Sequence, residues 1–438
     1  MEWYFQFTLV VAGILVLLAI RMPLGFVFGV AASAGILFTT GRLNVLTAVS
    51  QSLHDMMSDF VLITIPLFVL MAELLSTGGF IPDLYDGVEK WTGRTRGSLA
   101  IASIVASAIF AAVCGSSYVA AASLGRMTIP EMINRGYKKS FAAGTIAAGG
   151  CLGILIPPSL AFVIFGYMSG ASIASLFIAG IIPGIILSFL FILTIVVLTR
   201  VYPDIAGTGP EVSWRKKIKA MVKFMPVILV AILLLWAIYT GVATPGEAAA
   251  LGCLLSLILC WAYGRLNMAQ LLAGVRRAVA TSGFLLLLMG TAKVLGFMMA
   301  KAGILYPLQT VLQTLPTWSF ILVLYIILTI LGCLLEGTSI IVLTTPIFAP
   351  VASKLGIDLI WYGVILVLFI EIALLTPPVG MNCYIVAEVG KKYGVNIEDV
   401  FRGAIPFLAA LGVTVLIITM IPSLALWLPS TMKQGVAP

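Results

Sequence analysis

The chain has 438 residues, 61% hydrophobic and only 10% charged, with a formal net charge of +8. At a mean hydropathy of +1.16, so little charge cannot cover the surface of a soluble protein of this size, which excludes the soluble globular classes. The basic residues sit in short loops beside apolar runs, so membrane topology accounts for the positive balance and nucleic acid is not an expected partner.

A helix that crosses a bilayer needs about 20 mostly apolar residues. The N-terminal stretch Glu2-Trp3-Tyr4-Phe5-Gln6 lacks the basic region of a cleaved leader, so the first apolar run is expected to be retained as a helix. Spans are predicted over 3–20, 23–40, 59–77, 140–170, 174–199, 225–241, 245–263, 279–300, 359–389 and 404–428. Paired prolines, Pro157-Pro158 and Pro377-Pro378, break the spans at 140–170 and 359–389. Two segments, 97–137 and 316–354, are long enough for two helices but divide poorly. After Gly115-Ser116-Ser117 the apolar run has only 8 residues before Arg126, and after Gly337-Thr338-Ser339 the run of 13 contains Pro346 and Pro350. Such short runs predict re-entrant hairpins at about 97–137 and 316–354, with two full spans each as the alternative.

With the N-terminus outside, nineteen of the 25 Lys and Arg residues fall on the cytoplasmic side. Four, Arg42, Lys301, Lys354 and Lys433, fall outside, and Arg126 and Lys293 lie at membrane depth. This positive-inside bias predicts periplasmic N- and C-termini. Arg126 is expected to snorkel to the cytoplasm rather than meet a substrate. The segment 201–224, with Trp214 and five basic residues, reads as a cytoplasmic interfacial linker, a helix joining the two halves.

The halves repeat. Gly-Arg-Leu-Asn stands at 41–44 and 264–267, an offset of 223; Pro23 and Pro245 are 222 apart, the hairpin tips 222 and the proline breaks 220. The predicted fold is therefore all-α and polytopic, with repeats at 1–200 and 225–430. Five spans per half, an odd number, require the second copy to be inverted, an architecture of secondary transporters.

Backbone that leaves a helix at membrane depth costs several kcal/mol per unsatisfied group, so it persists only inside protein or against a polar ligand. Pro157 and Pro158 free the carbonyls of Gly153 and Ile154, and Pro377 and Pro378 those of Ala373 and Leu374. Together with the tip and break hydroxyls these are hard oxygens suited to sodium. Candidate sodium ligands are Gly115, Ser116, Ser117, Gly153, Pro157 and Ser159 in the first half. The second half offers Gly337, Thr338, Ser339, Ala373, Thr376, Pro377 and Gly380. Two-fold repetition predicts two cation sites flanking one substrate site, with Ser117, Ser159, Thr338 and Asn382 as candidate substrate contacts. The second arm of each hairpin begins at its tip, where free N–H groups suit an anion. The bland alternative is that the paired prolines only kink helices.

Glu73, Lys293, Glu336 and Glu371 are charged residues inside apolar runs, where charge defaults to a functional hypothesis. Glu336 touches a tip and is the candidate for gating or coupling. Glu73 and Lys293 are expected to pair across the pseudo-symmetry axis. The six cysteines read as small buried hydrophobes without disulfides. One histidine, His54, and no metal-ligand cluster, phosphate loop or nucleophile elbow leave no cofactor expected beyond sodium as the coupling ion, and no enzyme.

These residues resemble the large membrane subunit of tripartite ATP-independent periplasmic (TRAP) transporters, in the wider ion-transporter superfamily. The resemblance rests on Gly115-Ser116-Ser117, Thr128-Ile129-Pro130-Glu131-Met132, Arg135-Gly136-Tyr137 and 153–159, and in the second half on Glu336-Gly337-Thr338, Pro346 and 376–380. It implies a sodium-driven elevator in the bacterial inner membrane, in which hairpins and broken helices move against a scaffold in contact with lipid. It also implies a small four-helix membrane subunit, expected as a separate chain, and a periplasmic substrate-binding protein. The substrates it implies are organic acids such as sialic acid or four-carbon dicarboxylates. A stand-alone sodium–carboxylate symporter and, from another class, an ion channel remain the alternatives.

Overall fold

The computed structural model describes residues 3–40, 45–93, 95–209 and 212–432. Among them the regular elements are helices, apart from an isolated bridge between Arg96 and Thr208. Six helices are long and apolar enough to cross a membrane, and the pair Lys139–Leu155 and Leu160–Ser169, bent by 41°, makes a seventh. The predicted spans at 3–20 and 23–40 appear as Trp3–Ala19 and Leu24–Thr40, each only 17 residues. The molecule is an all-α polytopic membrane protein.

The four interrupted segments are the heart of the fold. The first hairpin consists of Ser98–Cys114 and Ser117–Asn134, the second of Thr317–Gly332 and Gly337–Lys354. Each proline pair stands between two helices: Lys139–Leu155 and Leu160–Ser169, then Leu359–Leu375 and Met381–Gly390. Lys139–Leu155 runs through the centre because its residues are small: Ala142, Ala143, Gly144, Ala147, Ala148, Gly149 and Gly150 are all buried. Without a hydrophobic drive between helices in lipid, such residues let backbones approach and gain dispersion. The closest approach is to Ile397–Met420, where a side chain at Gly403 would run into the Ser140 carbonyl.

The repeats exchange partners. The second arm of the first hairpin packs on Met381–Gly390 of the other half, and that of the second hairpin on Leu160–Ser169. Outside this group, Leu24–Thr40 and Thr64–Thr77 pack against the 34-residue helix Met268–Lys301, and Thr64–Thr77 also against Pro245–Ala262.

Two readings of the sequence change. Residues 214–224, read as a linker, continue into the next span as the single helix Trp214–Tyr239, because Pro226 inside it removes one hydrogen bond without ending it. The rest of the connection is tied down: Gly97 donates to Gly207 and Lys138 to Ile205, both at the base of the first hairpin. Glu73 does not pair with Lys293. Arg277 bonds it through Nε at 2.7 Å, and Lys293 lies with Nζ 5.9 Å from the Tyr167 ring centre. At the hairpin base, burial pushes the Glu89 carboxyl above its usual range while Arg135, at 3.0 Å, pulls it back. Arg126 is exposed. Arg42 with its Gly-Arg-Leu-Asn match at 41–44, and Arg94 and Lys433, lie outside the described residues.

Candidate functional site

At the first tip the chain turns through Gly115, whose φ of +60° is a left-handed conformation that favours glycine. A side chain there would stand 2.8 Å from the Pro158 carbonyl oxygen, so the tip lies against the first proline break. Gly153 makes the reciprocal approach: its Cβ would fall 2.7 Å from the Ser116 carbonyl. Tip and break thus meet backbone to backbone, with carbonyls from both at the junction. The Ser159 hydroxyl donates to the Ile154 carbonyl, one of the two freed by the prolines. Donation uses the hydrogen and leaves lone pairs, so the Ser159 hydroxyl and the Ser116, Ile154 and Pro158 carbonyls form an oxygen-rich seam, beside Gly115 and Gly153, whose donor set fits a hard monovalent cation.

The second junction is looser. Gly337 packs on the Ile370 side chain, and a side chain at Gly332 would fall 2.5 Å from Ala373 Cβ, before the break rather than on it. Pro377 and Pro378 are exposed, and Thr338 and Thr376 are half-buried. The Thr376 hydroxyl donates to Ile372 at 2.7 Å and its amide to Ala373 at 3.3 Å, engaging the carbonyl predicted to be free. Gly380, at φ +45°, opens the helix after the break with its face against Phe401.

Both tips line one cavity of about 160 Å³. Ser116, Ser117 and Tyr118 contribute from the first tip and Glu336, Gly337 and Thr338 from the second; Thr281, Phe284 and Leu285 close it from Met268–Lys301. Four helices begin at the tips and breaks. Those starting at Ser117, Leu160 and Met381 have no side-chain cap, whereas Glu336 caps its helix through the Ser339 amide at 3.1 Å and the Ser339 hydroxyl at 2.9 Å. Of these uncapped N-termini, those at Ser117 and Leu160 line the cavity and bring unpaired N–H groups and positive dipole ends to it.

Contacts between the halves complete the site. The Tyr118 hydroxyl donates to Glu336 and the buried Ser117 hydroxyl to Glu371, each at 3.4 Å. Ser117 and Thr338 therefore stand apart: Thr338 lines the cavity, while Ser117 also turns behind the tip. Ser159 and Asn382 do not line the cavity; Asn382 is fully buried against Ala147 and Cys151. Sequence reasoning missed Tyr118, Thr281, Phe284 and Leu285, which carry no break or charge. Glu371 was visible as an intramembrane charge, but its contact with Ser117 was not.

The family model "Tripartite ATP-independent periplasmic transporter, DctM component" matches residues 11–424. The C4-dicarboxylate TRAP transporter large permease protein DctM of Pseudomonas aeruginosa is 33% identical over 381 residues, 86% of this chain and 88% of that one. The sialic acid TRAP transporter large permease protein SiaM of Vibrio cholerae is 31% identical over 95% of this chain and 97% of its own. The isethionate TRAP transporter permease protein DctMQ of Oleidesulfovibrio alaskensis is 30% identical over 94% of this chain but only 64% of its longer one. Among solved structures, the Alcanivorax borkumensis YdaH transporter aligns with a TM-score of 0.62 at 14% identity, covering 90% of this chain and 91% of that one, a likeness of fold. The chain belongs to the DctM family of tripartite ATP-independent periplasmic transporters.

Proposed function

We propose that this permease imports an organic acid, of the sialic acid or C4-dicarboxylate class, with sodium through the bacterial inner membrane. The observation that carries the proposal is the convergence of both tips and the two uncapped helix N-termini at Ser117 and Leu160 on one cavity. Unpaired N–H groups and positive dipole ends attract a carboxylate without a full positive charge. Bound sodium would supply positive charge beside the acid. Ser116, Gly153 and Ser159 would hold it at the first junction, and Thr338, Ala373 and Thr376 at the second. Glu336 would couple the two; it caps the second tip and accepts from Tyr118 of the first, which supports that role.

The hairpins and broken helices form the moving group of an elevator, and the remaining helices its scaffold. A small four-helix subunit and a periplasmic binding protein complete the transporter. The greater length of the isethionate relative supports the first of these partners.

Removing one neutral hydroxyl ligand costs about 1 kcal/mol. Thr338→Ala and Ser117→Ala should therefore each raise the sodium concentration for half-maximal uptake by about fivefold. Unchanged sodium dependence in both, at normal expression, would remove the tips from the cation sites. For topology, cysteines replacing Lys139 and Lys354 are expected to react with impermeant maleimide only from the cytoplasm and only from the periplasm, respectively. Labelling of both from one side would contradict the inverted arrangement.

A further inference from the structure

Behind the first tip, away from the cavity, lies a second group of oxygens. Glu371 is 0% exposed; its Oε1 accepts from Ser117, and its Oε2 has no partner. Asn382, also 0% exposed, donates through Nδ2 to the Ala147 carbonyl at 3.3 Å, while its Oδ1 has no partner. Both side chains face Cys151 of Lys139–Leu155. The Cys151 thiol lies 3.6 Å from the Glu371 carbonyl and 3.5 Å from Asn382 Nδ2. A side chain at Gly150 would fall 3.1 Å from both Asn382 Nδ2 and the Ser117 carbonyl.

Among the described residues Glu371 joins no ion pair. The ionisable groups nearest it, Cys151 and, beyond Ser117, Tyr118 with Glu336, carry no positive charge. A buried carboxylate with an empty oxygen and no cationic neighbour is strongly unfavourable unless a cation joins it or a proton neutralises it. Nor is this site one of a symmetric pair. Glu371 and Cys151 are 220 positions apart, the offset of the two proline breaks, so the acid stands where the first repeat has a thiol.

We propose that Glu371, Asn382 and Ser117 form a third monovalent-cation site, single where the tip–break sites are paired. The carboxylate supplies the only full charge, and Asn382 Oδ1 and the Ser117 hydroxyl oxygen supply neutral ligands. The site rests on the sodium-coupled reading, and its ligand there is sodium. Because Ser117 bridges the first tip and Glu371, filling this site orders the tip before the cavity is occupied.

The test is equilibrium binding of radioactive sodium to the purified chain, with thermal unfolding against sodium chloride and choline chloride in parallel. Glu371→Gln should bind one sodium fewer per chain and keep the remaining sites. Asn382→Ala should keep the number of sites and raise the half-saturating concentration of one by about tenfold; it also serves if Glu371→Gln does not fold. An isotherm unchanged in either folded variant overturns the third site, the carboxyl then being neutralised by a proton. A parent chain that binds no sodium, and gains no thermal stability from sodium over choline, overturns the sodium-coupled reading instead.

Discussion

Gly153→Ala is expected to cut sodium-driven uptake by about a hundredfold while the chain still inserts and accumulates. The added Cβ would fall 2.7 Å from the Ser116 carbonyl and 2.8 Å from the Ser117 amide nitrogen. Both are backbone atoms, so no flexible side chain can swing away. Overpacking of this kind costs about 1–3 kcal/mol, which a chain of this size can survive. The functional cost is expected to be larger because the tip itself must lift off the proline break, separating the carbonyls of the proposed sodium site. A displacement of about 1 Å in a positioned site is enough for a loss of about a hundredfold. Gly412→Ala is the matched control: its Cβ would meet nothing within 4 Å, and uptake should be unchanged. Normal uptake and sodium affinity in Gly153→Ala would show that the closed junction is not where the ion sits.

What the sequence revealed was the set of places where a membrane helix cannot continue. Gly115-Ser116 and Glu336-Gly337 interrupt apolar runs too short to cross again, and the proline pairs remove donors. Both are local facts, and the helices end at Cys114, Gly332, Leu155 and Leu375, close to where those facts place them. The partners of each interruption were not legible, because the halves exchange them. Ser117 reaches Glu371, 254 positions away, and Tyr118 reaches Glu336, 218 away. No spacing rule within one half brings those pairs together.

The misplaced partner of Glu73 has a simple geometric cause. Glu73 and Lys293 both fall in the third long helix of their halves, which made them appear to share a depth. Met268–Lys301 has 34 residues, however, and Glu73 bonds Arg277 near its beginning. Lys293 stands sixteen positions further along, about 24 Å up the axis at 1.5 Å per residue. The residue that balances Glu73 therefore lies in the stretch 268–278, which was too polar to be included in the predicted span at 279–300.

The asymmetry of the two junctions was equally hidden. The repeated tips and breaks predicted two cation sites flanking one substrate site, yet the first junction is sealed backbone to backbone and the second has exposed prolines. Gly153 admits the first tip directly, whereas Gly332 and Ala373 hold the second one turn short of its break.

Reconstitution addresses the central claim directly. Liposomes carrying this chain should be given an inward sodium gradient and a radiolabelled acid, sialic acid or a C4-dicarboxylate. The acid is supplied free or loaded on its binding protein, with and without the small four-helix subunit. Uptake should require the gradient, the small subunit and the loaded binding protein together, and should stop when choline replaces sodium. Sodium-driven uptake of the free acid by this chain alone would contradict the tripartite account and favour a stand-alone symporter. Conductance without saturable uptake would contradict a transporter altogether.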